Sequence, residues 1–126
     1  MASDYQAIGS ALNTKLGQGT VSAYYALADQ GATPPYVIFQ RLTATDDYTF
    51  NTHEVDANYI VKVVSNKRWP GEAQTLYGSV HDLLQDAALS VTGYTSLRCR
   101  RQSTIEYREP DGFWNVGGIY RIEVIQ

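Results

Sequence analysis

With 126 residues, the chain has room for one domain and too little length for two of ordinary size. Hydrophobic residues make up 44% and charged residues 18%, a balance that excludes wholesale disorder. Ten Lys and Arg against thirteen Asp and Glu leave a formal charge of -3, which disfavours a general nucleic-acid coat. A chain of this length buries roughly two-thirds of the surface its unfolded form exposes, so folding needs no disulfide or structural metal. Cys99 is the single cysteine, and no Cys/His spacing frames a zinc ion. The opening MASDYQAIGS lacks the basic flank and apolar centre of a signal peptide. No apolar run approaches the ~20 residues that cross a bilayer. These features read as a soluble protein made in a reducing compartment. Tyrosine is used ten times, a residue that serves both interiors and contact surfaces.

In chain order, a helix comes first. Ser3 or Asp4 caps it, Ile8, Ala11, Leu12 and Leu16 repeat at helical spacing, and Gly17 and Gly19 end it. Residues 20–25 read as a short extended piece, and 26–32 as a loop. Pro34-Pro35 forbids helix and sends the chain out extended. Residues 36–42 are almost continuously apolar, the pattern of a strand covered on both faces. Residues 43–53, with Thr45, Asp46, Asp47, Tyr48, Phe50, Asn51 and Thr52, read as a long mobile connection. Strand alternation returns over 54–65. Val55, Ala57, Tyr59, Val61 and Val63 share one parity, and Glu54, Asp56, Asn58 and Lys62 the other.

After a turn at 66–71, Ala73, Leu76, Tyr77, Val80, Leu83, Leu84 and Ala87 form one helical stripe, with Pro70 in the first turn and Thr92-Gly93 as its close. Two strands follow, over 94–108 and 114–125. Glu109-Pro110-Asp111-Gly112 joins them as a tight hairpin turn in which Gly112 takes a positive φ. The expected fold is one α+β domain over residues 1–126. A mostly antiparallel sheet of four to five strands carries two helices on one face, in the order α-β-β-β-α-β-β.

Few residues invite chemistry. His53 and Glu54 beside Asp46 and Asp47 have the composition of an acid/base cluster or a hard-cation loop, and equally that of any solvated loop. His81 borders the apolar stripe and reads as a core-edge histidine bonded to a neighbour. Cys99, in phase with Leu97 and Ile105, reads as a small buried hydrophobe. Gly117-Gly118 has no phosphate-loop spacing and marks a bulge or a close backbone approach. No catalytic residue, metal or cofactor is expected.

The charged row Arg98 and Arg100, with Gln102, Thr104, Glu106 and Arg108 continuing it, faces away from Cys99. Pairing with Glu54 and Asp56, within the sheet or across a subunit contact, is the simpler reading. The rival is a single-stranded nucleic-acid surface of Tyr94, Arg98, Arg100 and Tyr107. The second sheet face also carries Ile60, Val64, Ile119 and Ile125. Two helices cover one face of such a sheet, so a mixed apolar and charged face stays open for another chain. The residues argue for an assembly protein over an enzyme.

In this order the motifs become recognisable. They are the N-terminal helix, the 17–25 connection and Thr33-Pro34-Pro35-Tyr36-Val37-Ile38-Phe39. The 53–64 strand follows, then Gly71-Glu72-Ala73 running to Val80-His81-Asp82-Leu83-Leu84, and Arg108-Glu109-Pro110-Asp111-Gly112 before the last strand. In this the chain resembles the tail completion or tail terminator proteins of long-tailed bacteriophages. The resemblance implies a non-enzymatic virion protein at the head-proximal end of the tail, assembled in the host cytoplasm. It implies a homo-oligomeric ring, usually of six subunits, that caps the tail tube, stops its polymerisation and presents the tail to the head connector. The partners implied are the tail tube protein and the head-tail connector protein, with neither membrane nor specific nucleic-acid binding; a connector ring is the nearest alternative. On parity, Glu54, Asp56, Arg98 and Arg100 are expected at the subunit interface. Asp46, Asp47, Tyr48 and Phe50 are expected to order against tube or connector.

Overall fold

A computed structural model describes residues 4–19, 21–28, 30–49, 52–87, 89–91 and 93–125 of the chain. Helix α1 spans Asp4–Leu16, strand β1 Ala23–Tyr25, β2 Tyr36–Thr49, β3 Thr52–Ser65, helix α2 Gly71–Leu84, β4 Thr95–Arg108 and β5 Trp114–Ile125. The fold is α+β, with five strands in the spatial order β1-β2-β3-β5-β4. Only β1 runs parallel to its neighbour, through Ala23 to Tyr25 against Val37 to Phe39.

Parity builds the core. In β3, Val55, Ala57, Tyr59, Val61 and Val63 are buried; opposite them in β5 stand Val116, Tyr120, Ile122 and Val124. Helix α1 sets Ile8, Leu12 and Leu16 against this surface, and α2 sets Ala73, Tyr77, Val80 and Leu84, in one cluster. Each buried Val, Leu or Ile among them gains roughly 1.5–3 kcal/mol from leaving water. Both helices are therefore committed to the same side of the sheet.

Four local expectations are corrected. Residues 43–49 and 52–53 are strand rather than a mobile connection, because β2 and β3 pair from Tyr36↔Val64 out to Thr49↔Thr52. Phe50 lies outside the described residues, as do Ser3 and Thr92. Helix α2 ends at Leu84, not near Thr92-Gly93. Gln85 turns extended, Asp86 takes a φ of 57°, and the Asp86 amide donates to the Cys99 carbonyl at 2.8 Å. Leu89 and Val91 still reach the core, from a loop. The row through Arg98 and Arg100 does not continue to Arg108. Register shifts fall between Ser96 and Arg98 and between Arg101 and Ser103, and each skipped residue exchanges the two faces. Leu97 is thereby 51% exposed, out of phase with Cys99. Finally, Val64 and Ile38 on the second face are only 6% exposed. The 26–28 segment and Phe113 enclose a pocket over them.

Other expectations match. Gly112 has a φ of 93° and donates to the Glu109 carbonyl at 2.8 Å, closing the hairpin. Gly117 and Gly118 are places of close approach. A Cβ on Gly117 would strike the Val61 carbonyl oxygen and lie 2.5 Å from the Lys62 Cα, and one on Gly118 would lie 2.6 Å from the Tyr77 hydroxyl. Cys99 is fully buried, and burial pushes its thiol up to about 12.

His81 borders the core as its spacing implied. Its Nδ1 lies 2.8 Å from the Tyr120 hydroxyl, which lies 2.7 Å from the Tyr77 hydroxyl; Arg101 Nη1 donates to Tyr77 at 3.4 Å. The second register shift in β4 leaves Arg101 paired with Tyr120, on the helix side. The three hydroxyl and imidazole groups thus satisfy one another inside an apolar layer. Burial, then the Arg101 charge, lowers the His81 pKa, with Asp82 opposing.

Two predictions follow from this packing. Gly117→Ala should lower the unfolding free energy by about 3 kcal/mol in urea titration, since the collision is with backbone; an unchanged midpoint would contradict the close approach. Below about pH 6.5 the unfolded chain binds a proton at His81 that the folded chain resists. Stability should therefore fall between that pH and the lowered folded value, more steeply in the wild type than in His81→Gln. Equal pH slopes for the two proteins would show that His81 is not held neutral.

Candidate assembly surface

The sheet face away from the helices is where the expected interface residues stand. Glu54 and Asp56 alternate with the buried Val55 and Ala57 of β3, and Arg98 and Arg100 flank the buried Cys99 of β4. All four occupy this open face. They do not pair with one another, because β5 lies between β3 and β4 and supplies the nearer partners. Asp56 takes Arg121 in a two-pronged contact, with Nε 2.7 and 2.8 Å from the carboxylate oxygens. Arg121 also reaches Glu123 at 3.1 Å, and Glu123 lies 3.7 Å from Arg98. Charges of alternating sign thus cross three strands. The Asp56 carboxylate, then Glu123 and Glu54, favour the charged Arg121 and raise its pKa. Arg100 turns to the edge, where Asp86 accepts from its Nε at 2.8 Å.

Apolar side chains interrupt this lattice. Ile60 faces Ile119 in register, and Ile125 faces Glu54; all three isoleucines are half-buried. Further along, Lys62 donates to the Tyr107 hydroxyl at 2.7 Å and sits 5.3 Å from that ring's centre. One end of the face is covered by the 26–28 segment, as described; the Arg121 end is open. A surface of this kind combines desolvable apolar area with charges that reject a misaligned partner.

The rival constellations do not assemble. Asp46 and His53 meet, with 2.7 Å between Oδ1 and Nε2, and the His53 ring packs edge-on to Tyr94. Glu54, on the next parity, faces the other side of the sheet. Among the described residues no three His, Cys, Asp or Glu side chains converge to hold a metal ion. Tyr94 packs against the core cluster, so it shares no surface with Arg98, Arg100 and Tyr107. No described helix is long and apolar enough to cross a membrane. Sequence reading missed Arg121 and Glu123, whose alternation with Tyr120, Ile122 and Val124 looks like ordinary strand polarity. Their signal was present: odd positions 119 to 125 carry the same apolar-charged mixture as even positions 54 to 64.

Comparison with known proteins bears on this surface. No curated protein matches the chain in sequence. A solved chain from the "Virion of native gene transfer agent (GTA) particle" superposes with a TM-score of 0.85 at 16% identity, over 98% of this chain and 100% of that one. A second solved chain superposes with a TM-score of 0.58 at 14% identity, over 95% of this chain and 91% of the other. Both likenesses are of fold. The sequence profile described as "Tail completion protein gp17" matches residues 7–124. That span runs from within α1 through α2 and every described strand as far as Val124, so the chain belongs to the tail completion protein gp17 family, structural and non-enzymatic components of the phage virion.

Proposed function

We propose that the chain forms a homo-oligomeric ring at the head-proximal end of a phage tail, where it caps the tail tube, ends tube polymerisation and presents the tail to the head connector. The observation that carries this reading is the open, partly apolar sheet face in a chain of the tail completion family. Both helices serve the other face, and a small domain gains little by leaving isoleucines and a charge lattice in water. A closed ring uses two different patches on each subunit. Glu54 of one copy, with the Asp56 already held by Arg121, faces Arg98 and Arg100 of the next. The end of the β2–β3 hairpin, with Asp46, Asp47 and Tyr48, meets tube or connector, and Phe50, outside the described residues, is assigned to the same contact. The family and fold support these roles; six subunits is the number the family resemblance implies.

Purified tube protein polymerised with and without this chain tests the proposal. Tubes of limited length, each with the chain at one end in immuno-gold images, are expected. Tubes that grow to the same length distribution, with no end label, would overturn it.

A further inference from the structure

Resting on that ring, we infer that neighbouring copies meet edge to edge, the β4 side of one chain against the β2 side of the next, with Leu97 and Leu42 as the apolar anchors. Three observations converge. First, both sheet edges are incomplete. On the side of β2 away from β3, strand pairing among the described residues stops at Phe39, and beyond it the Arg41 amide donates to the Tyr25 hydroxyl at 3.4 Å. At the far edge, β4 has β5 on one side only.

Second, each edge extrudes one leucine at a register shift. Leu42 is skipped between Arg41 and Thr43 and is 48% exposed; Leu97 is skipped between Ser96 and Arg98 and is 51% exposed. A bulge costs ladder hydrogen bonds, and here each one places an aliphatic side chain in water. Leucines of this kind bury well against a partner edge and the stems of its arginines.

Third, the edges are opposite in charge. On the β2 edge, residues 42–49 hold Asp46 and Asp47 with no Lys or Arg, whereas on the β4 edge residues 95–105 hold Arg98, Arg100 and Arg101 with no Asp or Glu, and Asp86 from the preceding loop answers Arg100 alone. An edge of this kind attracts the other and repels itself, which selects a head-to-tail contact over a two-fold one. Direction agrees as well. Successive antiparallel pairings leave β4 antiparallel to β2, so a neighbour set beside it continues the alternation of the sheet. The contact is made by side chains at its centre. Asp86 already donates to the Cys99 carbonyl, and the Gln85 side chain accepts from the Arg101 amide at 3.2 Å, so those β4 groups are occupied.

The test uses two variants, each with one edge spoiled. Leu42→Lys sets a cation against the basic edge; the double variant L97N/R98Q removes the anchor and one charge from the other. Both change exposed side chains, and circular dichroism should match the wild type. Alone, each should lose the ring and sediment as a single chain. Mixed one to one, they should give a two-chain species that grows no further, since one intact contact joins them. Rings that persist in either variant, or a mixture that remains single chains, would overturn the edge contact while leaving the wild-type ring standing. A wild-type chain that never leaves the monomer would remove the ring reading itself, and this contact with it.

Discussion

The organising constraint is one-sided cover. Among the described residues the sheet has five strands and there are two helices, and Ile8, Leu12 and Leu16 of one and Tyr77, Val80 and Leu84 of the other are spent on a single face. Tyr59 and Tyr120, at the centre of that face, are 1% and 0% exposed. The opposite face must then be stable in water or against another chain. Its composition answers to both: the Asp56–Arg121–Glu123–Arg98 lattice keeps it soluble, and Ile60, Ile119 and Ile125 leave area that a partner can cover.

The two central strands show how narrowly the core is set. Gly117 lets the β5 backbone lie against the Val61 carbonyl, and Gly118 leaves room for the Tyr77 hydroxyl over the sheet. That hydroxyl belongs to a chain of polar groups, His81, Tyr120, Tyr77 and Arg101, which ties α2 to β5 and β4. Removing the helix from the sheet would strand each of these groups without a partner. Tertiary packing and the polar chain therefore reinforce the same one-sided arrangement.

Much of this was legible in the amino-acid sequence, for identifiable reasons. The strict parity of 54–65, the stripe from Ala73 to Leu84 and the Pro110-Asp111-Gly112 turn each follow from local rules of period and φ, and they hold. The end of α2 was hidden because Ala87, Leu89 and Val91 keep supplying apolar residues after the backbone has left the helix at Gln85. The strand over 43–49 was hidden because Thr43, Thr45 and Asp46 are exposed, as is Ala44 between them, giving no alternation to read. Bulges were the largest loss. Nothing about Leu97 or Gln102 announces a skipped residue, yet each exchanges the faces of everything beyond it, which is how Arg108 comes to lie on the opposite face from Arg98 and Arg100. For the candidate site, parity correctly placed Glu54, Asp56, Arg98 and Arg100 on one face. It could not foresee that β5 would stand between them, because strand order is a long-range property.

Membership of the tail completion family gives this unfinished face a setting, since virion components work as assemblies. What ties the molecule to its role is whether copies of the chain complete the sheet that one copy leaves open. Electron micrographs of the purified protein, with no tube or connector present, address this most directly. Uniform annuli with a central hole are expected; a field of single 14.0 kDa particles at every concentration would contradict the claim.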